Sequence, residues 1–328
     1  MTKKLVIIDS YSLANRAFFA LPPLATSSGQ PTNAVYGLAM MLLRLREDSH
    51  PDYFAAAFDV HAPTFRHQEY EAYKGQRLKM EDSFRTQLPL IRELLEVLKI
   101  PIYEKAGFEA DDIIGAFATQ AAAEGMEVEI VTGDRDSFQL VGPKVKVLYT
   151  RKGITEVDRV DPEYILNRYQ LQPEQLVELK GLMGDPSDNI PGIPGFGEKT
   201  ALKYLYEFHS IEGIYQGIDR ITKTRDRELL LQYKDQALLS RRLAKIQTGM
   251  ELVIDFNQCT GHQSAKPEEL LEFCRKYEFG SLVKKLSGGE VEVEVKQLSE
   301  IKAPAIIPEP GELENIATRI RETKVCLI

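Results

Sequence analysis

The 328-residue chain contains no tryptophan and only three cysteines, Cys259, Cys274 and Cys326. The cysteines lie far apart and form no C-x-x-C pair, which excludes a zinc ribbon or a dithiol redox motif. So sparse and odd a count fits a reducing cytoplasm. No apolar run approaches the roughly 18 residues of a membrane helix. Lys3 and Lys4 are followed by only four apolar residues, Leu5 to Ile8, before Asp9. That run is too short for a secretory signal. A cytoplasmic protein with no membrane partner is expected. Basic charge is in deficit too, with 41 Lys and Arg against 49 Asp and Glu, a net charge of −8. Taken over the whole chain, this speaks against a polyanionic partner, because a basic surface supplies most nucleic-acid affinity.

What is present is a globular composition of about two domains' length. Leu5–Ile8 ends at Asp9, 53–58 ends at Asp59, and 128–132 leads through Gly133 to Asp134. Short, bounded, largely apolar runs predict buried strands. Helical spacing lies between them, over 33–47, over 83–98 with Ser83 as N-cap, and over 111–124 ended by Gly125. Strands alternating with helices predict a mainly parallel α/β sheet flanked by helices. The segments 145–149 and 154–157 predict a hairpin. Helices follow at 161–169, 173–183, 198–208, 227–247 and 267–276. Ser287-Gly-Gly289, the Glu/Val alternation of 290–295 and three prolines then predict a linker. The expected organisation is an α/β core over 1–170, a helical subdomain over 171–286, a linker over 287–309, and over 310–328 the start of a further domain.

Asp9, Asp59 and Asp134 each follow a strand, so a parallel sheet delivers all three to its carboxyl edge, where open α/β sheets bind ligands. A single Asp there would read as a turn residue or helix cap; three in step read as a site. Glu109-Ala-Asp-Asp112 precedes a helix, where acids stabilise the N-terminus by ~0.3–1 kcal/mol. Asp134 and Asp136 share one turn, and Asp185 and Asp188 share a loop, where an Asx-turn is the simpler reading. Two like charges ~4 Å apart repel by ~4 kcal/mol at an effective dielectric of ~20. Carboxylates gathered in this way require raised pKa values or bound cations. Oxygen ligands without nearby Cys or His favour Mg²⁺ or Mn²⁺, and two such ions can activate water and stabilise a leaving oxygen in phosphodiester hydrolysis.

The segment 64–80 places Arg66, Lys74, Arg77 and Lys79 against Glu69 and Glu71, with Tyr70 and Tyr73 interleaved. Cations beside aromatic faces suit single-stranded nucleic acid, and a solvated amphipathic loop is the plain alternative. Gly192-Ile-Pro-Gly-Phe-Gly-Glu-Lys-Thr200 lies between helical patterns. Its glycines let backbone amides approach a phosphate, and Lys199 and Lys203 add charge. This is the form of a helix–hairpin–helix that grips phosphates without reading sequence.

Asp9…Arg16-Ala-Phe18, Phe58-Asp59, Thr64-Phe-Arg-His67, Tyr73-Lys-Gly75, Glu109-Ala-Asp-Asp112, Thr132-Gly-Asp-Arg-Asp136, Gly184-Asp-Pro-Ser-Asp-Asn-Ile-Pro-Gly192 and Gly195-Phe-Gly-Glu-Lys-Thr200 occur in that order. Over about residues 1–286 this set resembles the 5′-nuclease (flap endonuclease) family, of the kind found at the N-terminus of bacterial DNA polymerases. The resemblance implies a PIN-like, resolvase-like nuclease core, a helical arch at about 64–85 and a helix–hairpin–helix clamp. It implies a first metal cluster of Asp9, Asp59, Glu109, Asp111 and Asp112, and a second of Asp134, Asp136, Asp185 and Asp188. Lys74 and Arg66 correspond to catalytic residues contacting the scissile phosphate, with Arg16 beside them. Tyr70, Tyr73, Arg77, Gly195, Gly197, Lys199, Thr200 and Lys203 fall in its DNA-binding regions, with K⁺ as a monovalent ion at the hairpin. The implied activity is 5′→3′ exonuclease and 5′-flap endonuclease cleavage in primer removal and repair. Its partners would be DNA with flaps, nicks or 5′ ends and RNA primers on DNA. The expected state is a monomer with polymerase domains later in the same chain. One departure is visible: Ser10 follows Asp9 where the family commonly has Gly, which could crowd the first metal.

Three other readings compete. A PIN-like ribonuclease shares acidic strand ends but not the basic 64–80 segment and the hairpin. A catalytically silent DNA-structure binder has no use for nine carboxylates. A phosphatase with Asp134 as nucleophile leaves the clamp unexplained. The charge balance also changes meaning. Residues 287–328 carry five basic and eight acidic residues, and with the nine candidate ligands set aside the rest of 1–286 is net basic.

Overall fold

A computed structural model describes residues 2–288 apart from 61, 78, 154 and 155. The expected linker beyond residue 288 and the further domain therefore lie outside the described residues, as does the start of the expected strand 154–157.

The chain opens with β1 (Lys4–Asp9), α1 (Ser10–Ala20), α2 (Asn33–Ser49), β2 (Tyr53–Ala57), α3 (Phe65–Glu69), α4 (Asp82–Arg85), α5 (Leu88–Val97), β3 (Ile102–Tyr103), α6 (Ala110–Ala123) and β4 (Glu127–Thr132). There follow β5 (Val145–Lys152), β6 (Glu156–Val160), α7 (Pro162–Tyr169), α8 (Leu176–Met183), α9 (Glu198–Phe208), α10 (Ile211–Gln216), α11 (Thr224–Gln232), α12 (Lys234–Ala244), α13 (Pro267–Lys276) and α14 (Gly280–Leu286). The strands form one sheet in the order β3-β2-β1-β4-β5-β6. All neighbours are parallel except β5 and β6. The expected α/β architecture is present, and the helical region from α7 onward closes the same compact unit.

Alternation along the strands sorts the core. Leu5, Ile7, Val128, Ile130 and Val147 pack with Ile113, Ile114 and Phe117 of α6 on one face. Val6, Ile8, Phe54 and Val131 pack with α1, α2 and α5 on the other. Both faces are covered, which is why these strands read as continuous apolar runs. The chain leaves β1 toward β2 on one side and returns as β4 on the other, so a topological switch point lies between β1 and β4. The crevice beyond it receives Asp9 and Asp134.

The single helix expected over 83–98 is two, α4 and α5, and Ser83 is not its cap. Gln87, fully buried between them, accepts hydrogen bonds at Oε1 from the backbone N–H groups of Ala34 (2.8 Å) and Val35 (3.3 Å). It thereby satisfies the first turn of α2, whose own N-cap Thr32 makes no side-chain cap bond. Hydrophobic spacing does not reveal such a contact 53 residues away. The helix expected over 227–247 is likewise two, α11 and α12, parted at Tyr233. The short β3, α10 and α14 were not anticipated.

Candidate active site

Asp9 closes β1, and Asp59 and Asp134 stand two residues beyond β2 and β4. With Glu109 and Asp111 at the start of α6 they line a cleft of about 920 Å³. Lys74, Arg77 and Arg16 line the same cleft. Backbone and hydroxyl groups hold the acids. Asp9 Oδ1 accepts from Ser12 N (3.0 Å), capping α1, and Oδ2 accepts from Thr132 Oγ1 (3.0 Å). Asp59 accepts from Ala110 N (2.9 Å), and Asp134 from Asp136 N (2.9 Å). Among the described residues none of Asp9, Asp59, Asp111 and Asp134 has a Lys or Arg salt-bridge partner.

Crowding shows in their acidity. Burial pushes Asp9 up to about 7, and repulsion from Asp59 and Asp134 adds to it. Asp111 is held well above the usual carboxylate range by burial and by Asp134 and Asp9. Its Oδ1 is buried without a hydrogen-bond partner. An orphaned oxygen among like charges is the setting that a cation relieves.

The basic segment 64–85 forms two short helices and turns, folded onto the acids. Lys74 Nζ lies 2.9 Å from Glu109 Oε2 and 3.7 Å from Asp188 Oδ2. Arg77 Nη2 lies 2.6 Å from Asp188 Oδ1. Although burial opposes it, Glu109 and Asp188 raise the Lys74 pKa, so the ammonium stays charged. Tyr73 is buried, with its hydroxyl 3.1 Å from both Glu109 Oε2 and Asp188 Oδ2. Tyr70 packs beside it against Val177, Ile190 and Leu243. The expectation that the Tyr73 ring offers a face to bases is therefore corrected, because the core uses it, whereas Tyr70 is half-buried.

Arg66 and Asp112 are corrected as well. Arg66 is 2 % exposed and does not line the cleft. It donates to both oxygens of Asp112 and to the carbonyls of Leu243 and Lys245. Asp112, fully buried, also accepts from Glu109 N (3.0 Å) and Gln247 N (2.8 Å). Glu109 and Asp112 form a capping box on α6. The helix-cap reading thus accounts for Asp112, and neither it nor Arg66 has a free group to offer a metal or a phosphate.

The remaining acids, Asp136, Asp185 and Asp188, are not among the residues lining the cleft. Asp136 and Asp185 both pair with Lys180, the latter at 2.6 Å. Burial, with Asp134 adding and Lys180 opposing, pushes Asp136 up to about 7. Against the effect of burial, Lys180 holds Asp185 below its usual range. Asp185 also accepts from Ser187 N and Oγ, the Asx-turn expected of such a loop. Sequence reasoning missed Lys180. Its signal was a lone lysine within the otherwise largely apolar Leu-Val-Glu-Leu-Lys-Gly-Leu-Met of α8, five residues before Asp185. Ser10 is fully buried, and it is not among the residues lining the cleft.

The loop leaving α8 crosses itself. A Cβ on Gly192 would stand 2.1 Å from Gly184 N, so only glycine fits at that crossing. Beyond it, Gly195 and Gly197 are exposed, and α9 begins at Glu198 with no side-chain cap on its N-terminus. Lys199 and Lys203 are exposed, and Thr200 is half-buried. Arg16 sits on the cleft wall, donating to Arg151 O (2.9 Å).

Among the described residues no three acidic, Cys or His side chains are posed to enclose one ion, since backbone amides and the cations of Lys74, Arg77 and Lys180 hold several of them. The donor set nevertheless fits a hard divalent cation. It is all oxygen, it contains the orphaned Asp111 Oδ1, and its members raise one another's pKa.

Residues 4–170 match the 5′-3′ exonuclease N-terminal resolvase-like domain, and 171–267 match the 5′-3′ exonuclease C-terminal SAM fold. The chain is 44 % identical over 298 residues to DNA polymerase I of Bacillus subtilis, covering 91 % of this chain and 34 % of that protein. It is 42 % identical over 281 residues to the thermostable DNA polymerase I of Thermus thermophilus, covering 85 % and 33 %. It thus spans about a third of the length of these relatives. In fold it is similar to the T5 5′-exonuclease solved with zinc, with a TM-score of 0.61, 20 % identity and coverage of 84 % and 98 %. The phage T5 flap endonuclease solved with DNA and metal ions gives 0.59, 20 %, 87 % and 100 %.

Proposed function

The chain belongs to the 5′-3′ exonuclease family, and on that footing we propose that it hydrolyses DNA phosphodiesters near single/double-strand junctions with Mg²⁺ or Mn²⁺. It is a 5′-3′ exonuclease domain of the kind found in DNA polymerase I. One observation carries the finer reading: four acids without cationic partners share a cleft with Lys74, Arg77 and Arg16. Negative charge to hold cations and positive charge to meet a phosphate thus stand together.

Asp9, Asp59, Asp111 and Asp134 would hold a divalent ion, and Asp136, Asp185 and Asp188 another in exchange for Lys180 and Arg77. Bound there, such ions supply Lewis acidity to phosphodiester oxygens and make water a better nucleophile at neutral pH. Lys74 and Arg77 offset charge that develops on the phosphate as the bond breaks. The Glu109 and Asp188 carboxylates hold Lys74 charged and aimed along the wall. Arg16 positions the neighbouring backbone phosphate. Gly195, Gly197, Lys199, Thr200 and Lys203 hold duplex DNA by its backbone, with K⁺ as an added ion. Flaps, nicks and 5′ ends, including RNA primers on DNA, are the substrates this arrangement suits, as the N-terminal part of a DNA polymerase I.

The test is a 5′-flap oligonucleotide incubated with the protein, with and without MgCl₂. Cleavage near the junction only with the ion is expected. A gel shift without cleavage in its presence would overturn the reading in favour of a binder.

A further inference from the structure

We propose that Arg225, with the first turn of α11, is a second phosphate grip beside the 192–197 hairpin. It would take the neighbouring phosphate of the same duplex strand. This rests on the reading of the hairpin as a DNA clamp and extends it to an element that the hairpin motif does not contain.

The argument begins with Asp226. Its carboxylate is 5 % exposed and accepts from Tyr204 of α9 at Oδ2 (2.8 Å), while Lys223 Nζ lies 3.0 Å from Oδ1. This buried link fastens the first turn of α11 to the middle of α9. The residue before it is thereby fixed in place, and a Cβ on Gly195 would lie 4.0 Å from Arg225 Nη2. Gly195 has a φ of +81°, open to solvent, at the tip of the hairpin turn.

Arg225 is exposed, and no carboxylate partner is found for it among the described residues. Two neighbouring cations are differently placed: Lys223 pairs with Asp226, and Lys203 lies over the Tyr204 ring at 4.8 Å. The backbone repeats the pattern. Neither Gly197 before α9 nor Lys223 before α11 makes a side-chain cap bond. The only acid in the first turn of α11 is Asp226, whose carboxylate is committed to Tyr204 and Lys223. Two helix starts with open N–H groups thus flank an unpaired guanidinium. Guanidinium forks and helix N-termini both favour phosphate oxygens. One phosphate at the hairpin and the next at Arg225 would use both starts.

The experiment measures Kd for a 5′-flap duplex over a salt series, with kcat and KM for its cleavage. It compares the intact protein, Arg225→Ala, Arg225→Lys and the Lys199→Ala/Lys203→Ala pair. Circular dichroism checks the fold of each. Arg225→Ala is expected to weaken binding about five-fold or more at low salt and to flatten the slope of log K against log salt by about 0.9, as one lost phosphate contact requires. Its loss of cleavage should fall on substrate binding, seen as a raised KM, and Arg225→Lys should restore the slope. An unchanged slope in Arg225→Ala, beside a flattened one in the lysine pair, would overturn the second grip and leave the clamp. Unchanged slopes in both would overturn the clamp and this inference with it.

Discussion

Arg66 and Asp112 face each other through two parallel hydrogen bonds, Nη1 to Oδ2 at 2.7 Å and Nη2 to Oδ1 at 2.8 Å, inside the protein. Arg66 also reaches the carbonyls of Leu243 and Lys245. One guanidinium therefore joins the 64–85 segment, the start of α6 and the end of α12. Removing one member of a buried pair leaves the other charged and unsatisfied, at about 3–5 kcal/mol. Arg66→Ala and Asp112→Ala should each lower stability by that order in urea denaturation. Cleavage should fall only as the folded fraction falls. A variant of normal stability that cannot cut DNA would return Arg66 to the catalytic set.

Lys74 gives the opposite expectation. Its ammonium is partly exposed on the cleft wall, 2.9 Å from Glu109 Oε2. Lys74→Ala should leave the melting temperature within a few degrees and lower single-turnover cleavage by about 10²–10³, the range for removing one transition-state donor. Equal losses in Kd and rate would instead mark it as a ground-state phosphate contact.

Acidity predicts how stability varies with pH. Asp9 and Asp136 have folded pKa values of about 7, above the unfolded value near 3.9. Between those values the folded state binds more protons than the unfolded. Their contribution to stability is therefore full below about pH 4 and is lost as pH rises through about 7. A divalent ion among the carboxylates should offset the loss. The gain in melting temperature on adding MgCl₂ should be larger at pH 8 than at pH 5. An equal gain at both would separate the ion from these acids.

How much of this was legible in the sequence follows from the range of each signal. Asp9, Asp59 and Asp134 were legible because each ends a short apolar run, and parallel strands bring such ends to one edge. Glu109 and Asp111 followed from their place before a helix. The basic residues of 64–80 were visible as charge, but their roles depended on partners far along the chain. Arg66 meets Asp112 46 residues away, and Gln87 meets Ala34 53 residues away. Periodicity has no access to such pairs. Asp112 resembled a ligand because the capping box and a metal cluster use the same residue type at the same spacing. Only the direction of its oxygens separates them.

Asp134 supplies the sharpest test of the cleft. It lines the cavity without a cationic partner, and its charge helps to push Asp9, Asp111 and Asp136 upward. Among the described residues its Oδ1 accepts only from the nearby Asp136 N. Asp134→Ala removes repulsion and little packing, so the fold should hold, and stability at pH 8 without divalent ions should rise. Mg²⁺-dependent cleavage of a 5′-flap should disappear, and the Mg²⁺-induced gain in melting temperature should shrink. Undiminished cleavage in a folded Asp134→Ala variant would remove the cleft acids from the chemistry, whatever the family resemblance.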